Sequence, residues 1–223
     1  MNDKKKEFTK ILENIKPSKN TYEVFSDWLT LVSATLYTWK KDQKVENEYM
    51  EIAKQYSKEE LAKFVKLFAL TVDAFEENVE DFLGDIFITA ELTNKKKAQY
   101  FTPYDVSRIM AELMIGDNKL PKKKIYEVSD PCCGSGGLLI ATAMVMKKQG
   151  FNYQKYAFFA GTDIDARCAR MAFIQLSLLG APAIITCGNS LSKEVFWERE
   201  TIGYYIAGMN LRRKPDQKTQ IKT

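Results

Sequence analysis

The sequence predicts an α/β protein in which a parallel sheet wound with helices follows a helical N-terminal domain. Three observations predict it. Residues 1–92 carry large apolar side chains at helical spacing. From about residue 93 the texture changes to strand, turn and helix in series. Three chemically distinctive stretches, DPCCGSGG, TDID and GNS, each stand at the end of an apolar, strand-like run. In a wound parallel sheet the ligand crevice lies at the carboxyl ends of the strands, so the three stretches define one candidate site.

The elements follow in order. Tyr22, Phe25, Leu29, Val32, Leu36 and Trp39 step by three and four residues, which lines one face of a helix. Leu61, Val65, Phe68, Val72 and Phe75 form a second stripe, and both read as packing of a small helical domain. DFLGDIFITAEL adds a third helical stretch, and the basic run NKKK at 94–97 marks a boundary. KKIYEVSD (123–130) alternates and then turns apolar, as a buried parallel strand does at its end. GLLIATAMVMKK follows with helical spacing. YAFFAGTD (156–163) is a second strand ending on an acid, ARCARMAFIQLSLLG a helix closing on Gly180, and AIITCGNS (183–190) a third strand with its exit loop. Successive strand–helix units wind right-handed. The expected organisation is a helical domain at 1–92, a ligand-binding domain at 93–198, and a C-terminal strand, IGYYIAGM, with a basic tail at 199–223.

Composition narrows the chemistry. The 223 residues include 33 Lys+Arg and 29 Asp+Glu, a net charge of +4 that gives weak support for a nucleic-acid partner. There is no histidine, which removes Cys/His zinc sites and any imidazole base. Four cysteines without a CxxC pair point to a reducing compartment rather than a disulfide framework. No run reaches the roughly 18 apolar residues of a membrane helix, so a cytoplasmic protein without metal or membrane partner is expected.

Gly134, Gly136 and Gly137 let the chain turn sharply at the start of a helix and bring backbone N–H groups near a ligand. A Walker-type phosphate loop needs Lys and Ser/Thr after the glycines, and Leu138 and Leu139 stand there. A dinucleotide fingerprint needs a third glycine at position 139, which is leucine. Cys132 and Cys133 are adjacent and lack a second pair, so they read as small residues in a tight turn, not metal ligands. Asp163 is placed to accept both hydroxyls of a ribose, whereas Asp165 suits a helix N-cap.

These residues carry a resemblance. QYFTP (99–103), then DPCCGSGG with Cys132 where alanine is usual, then Asp163-Ile164, then GNSL (188–191) with Asn for Asp, stand in the order seen in adenine-N6 DNA methyltransferases. The likeness is strongest to the modification subunits of type I restriction systems, and it covers about residues 80–192. It implies a Rossmann-like methyltransferase fold that binds S-adenosylmethionine (SAM). Tyr100, Phe101, Thr102 and Pro103 would close over the cofactor. Asp130 would meet its ammonium group, with Cys132, Gly134, Ser135 and Gly136 forming the loop around the methionine end. Asp163 would take the ribose, Ile164 would lie against adenine, and Asn189 would pair with the adenine edge. DNA would be the substrate, with a second copy or a specificity-like subunit as protein partner. The family's catalytic Asn/Asp-Pro-Pro-Tyr/Phe motif has no counterpart between Ser192 and Thr223. The catalytic residues are therefore unassigned, and a noncatalytic SAM-binding relative associated with nucleic acid is the alternative.

Overall fold

The computed structural model describes residues 3–91, 102–116, 120 and 125–209. Tyr100, Phe101, the basic runs at 94–97 and 122–124, and the tail from 210 onward lie outside the described residues. The chain divides into two compact units, Met1–Thr102 and Pro103–Thr223. This division falls C-terminal to the 92/93 boundary expected from the basic run.

The first unit is all helical: α1 (Asp3–Glu13), α2 (Thr21–Tyr37), a short 3-10 turn (Thr38–Lys40), α3 (Gln43–Ala53), α4 (Lys58–Glu77) and α5 (Phe82–Glu91). Ser57 and Glu60 form a reciprocal capping box that starts α4. Aromatic packing dominates the core. Phe8 meets Trp28 edge-on at 5.2 Å, Phe25 stacks on Trp28 at 5.8 Å, and the Trp28 indole N–H donates to the Phe64 carbonyl. The α4 stripe expected from the sequence is rotated. Phe64, Leu67, Thr71, Ala74 and Phe75 are buried, while Val65 is 68% exposed. The helix carries two apolar stripes about one residue apart, and the one that meets α1 and α5 wins.

The second unit contains α6 (Tyr104–Ile115), β1 (Tyr126–Asp130), α7 (Gly137–Lys148), α8 (Tyr153–Tyr156), β2 (Ala157–Asp163), α9 (Ala166–Leu178), β3 (Ala183–Asn189), β4 (Glu194–Glu200) and α10 (Ile202–Ile206). The strands lie in the order β1-β2-β3-β4, the first three parallel and β4 antiparallel to β3. On one face α7 packs on β1, and α9 on β2 and β3. The other face is only partly covered. There Phe158, Tyr204 and Met209 form a small cluster, while Glu127 and Ser129 of β1 stand exposed.

The expected terminal strand is corrected. The strand is EVFWERE, and IGYYIAGM begins with helix α10. Thr201 pins the switch, its buried hydroxyl accepting from the Ala183 N–H and donating to the Ala181 carbonyl. Gly203 then passes beneath the Gly180 and Ala181 carbonyls, where a Cβ would lie 2.6 and 2.9 Å from those oxygens. Charge hid β4 from a reading by composition. Its Arg199 is nonetheless buried, with its guanidinium 4.9 Å from the Trp197 ring.

Candidate functional site

The parallel register brings the three distinctive stretches to one edge of the sheet. Asp130 ends β1 opposite Gly161, and Asp163 ends β2 opposite Cys187, two residues before Asn189 ends β3. Alternation along each strand and the shared strand direction place these ends side by side.

The glycine turn is held residue by residue by the second strand–helix unit. The Cys133 N–H donates to the Thr162 carbonyl at 2.9 Å. The Gly134 N–H donates to Asp163 Oδ2 at 2.8 Å. The Ser135 carbonyl accepts from the Gln175 side-chain amide at 2.8 Å. At Gly136 a Cβ would stand 3.2 Å from both Cα and Cβ of Ala172, and φ is +91°. Glycine is required there by the approach of α9 and by the left-handed backbone. A side chain at this position, as in Gly136→Val, would press on Ala172.

These bonds also revise the role of the loop's N–H groups. Cys132 N–H donates to Asp130 Oδ1, and Gly136 N–H to the Cys133 carbonyl. The N–H groups of residues 132, 133, 134 and 136 are satisfied within the protein. The same turn also gathers carboxylate and carbonyl oxygens, acceptors that suit a cation.

Asp163 ties the turn to the second strand. Its Oδ1 accepts from the Asp165 N–H at 2.9 Å while Oδ2 holds Gly134. Burial pushes its carboxyl above the usual range, the two N–H donors pull it back down, and the neighbouring Asp165 and Asp130 charges push it up further. Each carboxylate oxygen has room for a further donor, enough for two hydroxyls. Asp165 caps α9 as expected, accepting from the Arg167 N–H and pairing with the Arg167 guanidinium.

Asn189 is differently engaged from the expectation. Its Oδ1 accepts from the Leu191 and Ser192 N–H groups, which fill both lone pairs. The side-chain NH2 remains as the group with which it can address a ligand. Asp in the same place would make the same turn. Cys132 is exposed, its sulfur 4.0 Å from Ser190 Oγ, so the first and third strand ends meet at the mouth. Ile164 is 61% exposed beside them. Thr102 and Pro103 are exposed, and the Pro103 carbonyl accepts from Val106 and Ser107 to start α6. No group of three or more His, Cys, Asp or Glu side chains placed to hold a metal occurs among the described residues.

Strands β1–β3 running parallel, helices wound between them, and acceptor groups gathered at the carboxyl ends define a Rossmann-like domain. Residues 71–221 match the N-6 DNA Methylase family, and the chain belongs to that family. It is 32% identical over 92 residues to the type I restriction enzyme MpnII methylase subunit of Mycoplasma pneumoniae, covering 39% of this chain and 16% of that one. It is 26% identical over 206 residues to the MjaVII methylase subunit of Methanocaldococcus jannaschii, covering 77% and 34%. The chain thus spans at most about a third of the length of these curated relatives. A solved structure from Listeria monocytogenes, assigned as a class I S-adenosylmethionine-dependent methyltransferase, aligns with 82% of this chain and 52% of its own at 21% identity and a TM-score of 0.46.

Proposed function

We propose that this chain holds SAM for the N6-methylation of adenine in DNA. The observation that carries the reading is the meeting of Asp130, Asp163 and Asn189 at three adjacent strand ends, around the glycine turn. Asp130 receives the ammonium group of the methionine end, helped by the carbonyls of the turn. Asp163 accepts the ribose hydroxyls, and the exposed Ile164 side chain covers one face of the adenine. Asn189 donates from its NH2 to a ring nitrogen of the cofactor's adenine. SAM supplies the transferable methyl group; the protein's part on this side is to orient it, and positioning provides most of the rate effect in such a transfer.

A second copy or a specificity-like subunit is proposed as protein partner, as the type I restriction methylase subunits among the chain's relatives suggest. The residues of the acceptor side are unassigned in this reading, because no Asn/Asp-Pro-Pro-aromatic turn to hold an extruded base stands between Ser192 and Thr223. The same feature favours the second reading, a noncatalytic SAM-binding protein associated with nucleic acid.

One experiment separates these outcomes. Calorimetry should show binding of SAM, and methyl-labelled SAM with mixed DNA should leave adenine labelling near background for the pure chain and raise it with cell extract. No heat with SAM at millimolar concentration overturns the cofactor assignment. Binding without labelling in any extract selects the noncatalytic reading, and rapid labelling by the pure chain shows that its own residues form the acceptor site.

A further inference from the structure

We propose that Gln175 is a positioning residue for the cofactor loop, acting through Ser135; the proposal rests on the reading of the site as a SAM pocket. Gln175 is fully buried in the last turn of α9, far in sequence from the glycine turn, and its amide nitrogen donates to the Ser135 carbonyl at 2.8 Å. A buried glutamine costs free energy unless its polar atoms are used. Here one of them is spent on the turn. Ser135 is itself buried, and its carbonyl has been turned inward, toward α9.

That single bond fixes more than one atom. In a planar trans peptide the C=O of Ser135 and the N–H of Gly136 point in opposite directions. Holding the carbonyl inward therefore aims the Gly136 N–H outward, where it closes the turn on the Cys133 carbonyl at 2.8 Å. Three residues earlier on the same helix face, Ala172 abuts Gly136. Gln175 and Ala172 thus set the peptide plane and the height of the turn, while Asp163 sets its other end through Gly134. Without Gln175 the buried Ser135 carbonyl loses this amide donor, and the peptide at 135–136 is held less firmly, although the Gly136 N–H bond to the Cys133 carbonyl remains. The carbonyl and carboxylate acceptors of the turn would then no longer share the geometry that a bound ammonium group needs.

Two variants test this in the full chain. In Gln175→Leu, SAM affinity should fall by roughly tenfold, the range for an unsatisfied buried acceptor, with near-UV circular dichroism unchanged. The Gly134 amide of the ligand-free protein should exchange with solvent roughly tenfold faster in the same variant. In Gln175→Glu the acid form can donate to Ser135 and the ionised form cannot. Its SAM affinity, measured relative to wild type at each pH, should therefore be nearest wild type at low pH and fall as pH rises. This pH dependence is a readout that lost packing alone would not give, and it decides the matter even if the leucine variant does not fold. A leucine variant that binds SAM like wild type, or a glutamate variant that binds SAM as weakly at low pH as at high pH, overturns the proposal. Failure of wild type to bind SAM overturns the reading of the pocket instead. In that event the Gly134 exchange rate still reports on the positioning role, and an unchanged rate overturns it.

Discussion

Asp163 is both a fastener and a ligand-facing acid, and its two duties respond differently to pH. Burial raises its carboxyl pKa in the folded protein. The native state therefore takes up a proton more readily than the unfolded chain, and the stability tied to this group falls as pH rises through the raised value. For a ligand the sign is the opposite. The carboxylate accepts from hydroxyls more strongly than the neutral acid does, so SAM affinity should decline as pH falls, and the decline should begin above the approximately 3.9 of an ordinary aspartate. Calorimetry in buffers of different ionisation enthalpy should show proton release on binding in that interval. Proton uptake there would refute the role. Substitutions should grade accordingly: Asp163→Asn keeps an acceptor for one of the two backbone N–H groups, whereas Asp163→Ala strands both and should be the more damaging to folding as well as to binding. The cysteines around the site divide in the same manner. Burial pushes Cys187 up to about 11 and raises Cys133 and Cys168 as well, while Cys132 is exposed at the mouth. A thiol reagent at neutral pH should label Cys132 alone among the four, more slowly when SAM is bound. Mass spectrometry showing early labelling at Cys133 or Cys168 would contradict this packing.

At the scale of elements, the β3–β4 hairpin rests on one glycine. A Cβ on Gly188 would lie 2.3 Å from the Glu194 carbonyl oxygen, at the register shift between Cys187 and Gly188. Gly188→Ala should lower stability in urea by about 1–3 kcal/mol, the usual range for overpacking. In Gly150→Ala nothing lies within 4 Å of the added carbon and the cost is confined to the left-handed backbone. In the helical unit Ser57→Ala should cost about 1 kcal/mol through loss of the capping box, read from the same unfolding curves. What was legible in the sequence at this scale follows from how each element hides or shows its pattern. Strands β1, β2 and β3 ended on residues of distinctive chemistry, and Asp165 announced its cap by position. The buried face of α4 was not legible, because Leu61, Val65 and Phe68 form as good a stripe as Phe64, Leu67 and Thr71, and only tertiary contact chooses. Strand β4 was hidden by its charges, since nothing local shows that Trp197 shelters Arg199. Gln175 was missed for a related reason. A polar residue in an amphipathic helix reads as surface, and the carbonyl that receives it is 40 residues away.

For the second unit taken as a whole, the chain places its chemistry at one end of the sheet and its solvent-facing polarity on one side. The helix-bearing face is sealed by Val128, Phe159 and Ile185. Opposite it, Phe158, Tyr204 and Met209 form a cluster on which Ile125, Ala160 and Ile184 pack, and Glu127, Ser129, Thr186, Glu198 and Glu200 lie on the same side. No helix among the described residues is long and apolar enough to cross a membrane. Among the described residues Glu127 is an exposed carboxylate in the middle of β1, whereas Glu198 accepts from Thr186 and Glu200 from Tyr205. Glu127→Lys should therefore change stability in urea by less than about 0.5 kcal/mol, the range for surface substitutions, and a larger loss would show that this position is tied into the fold.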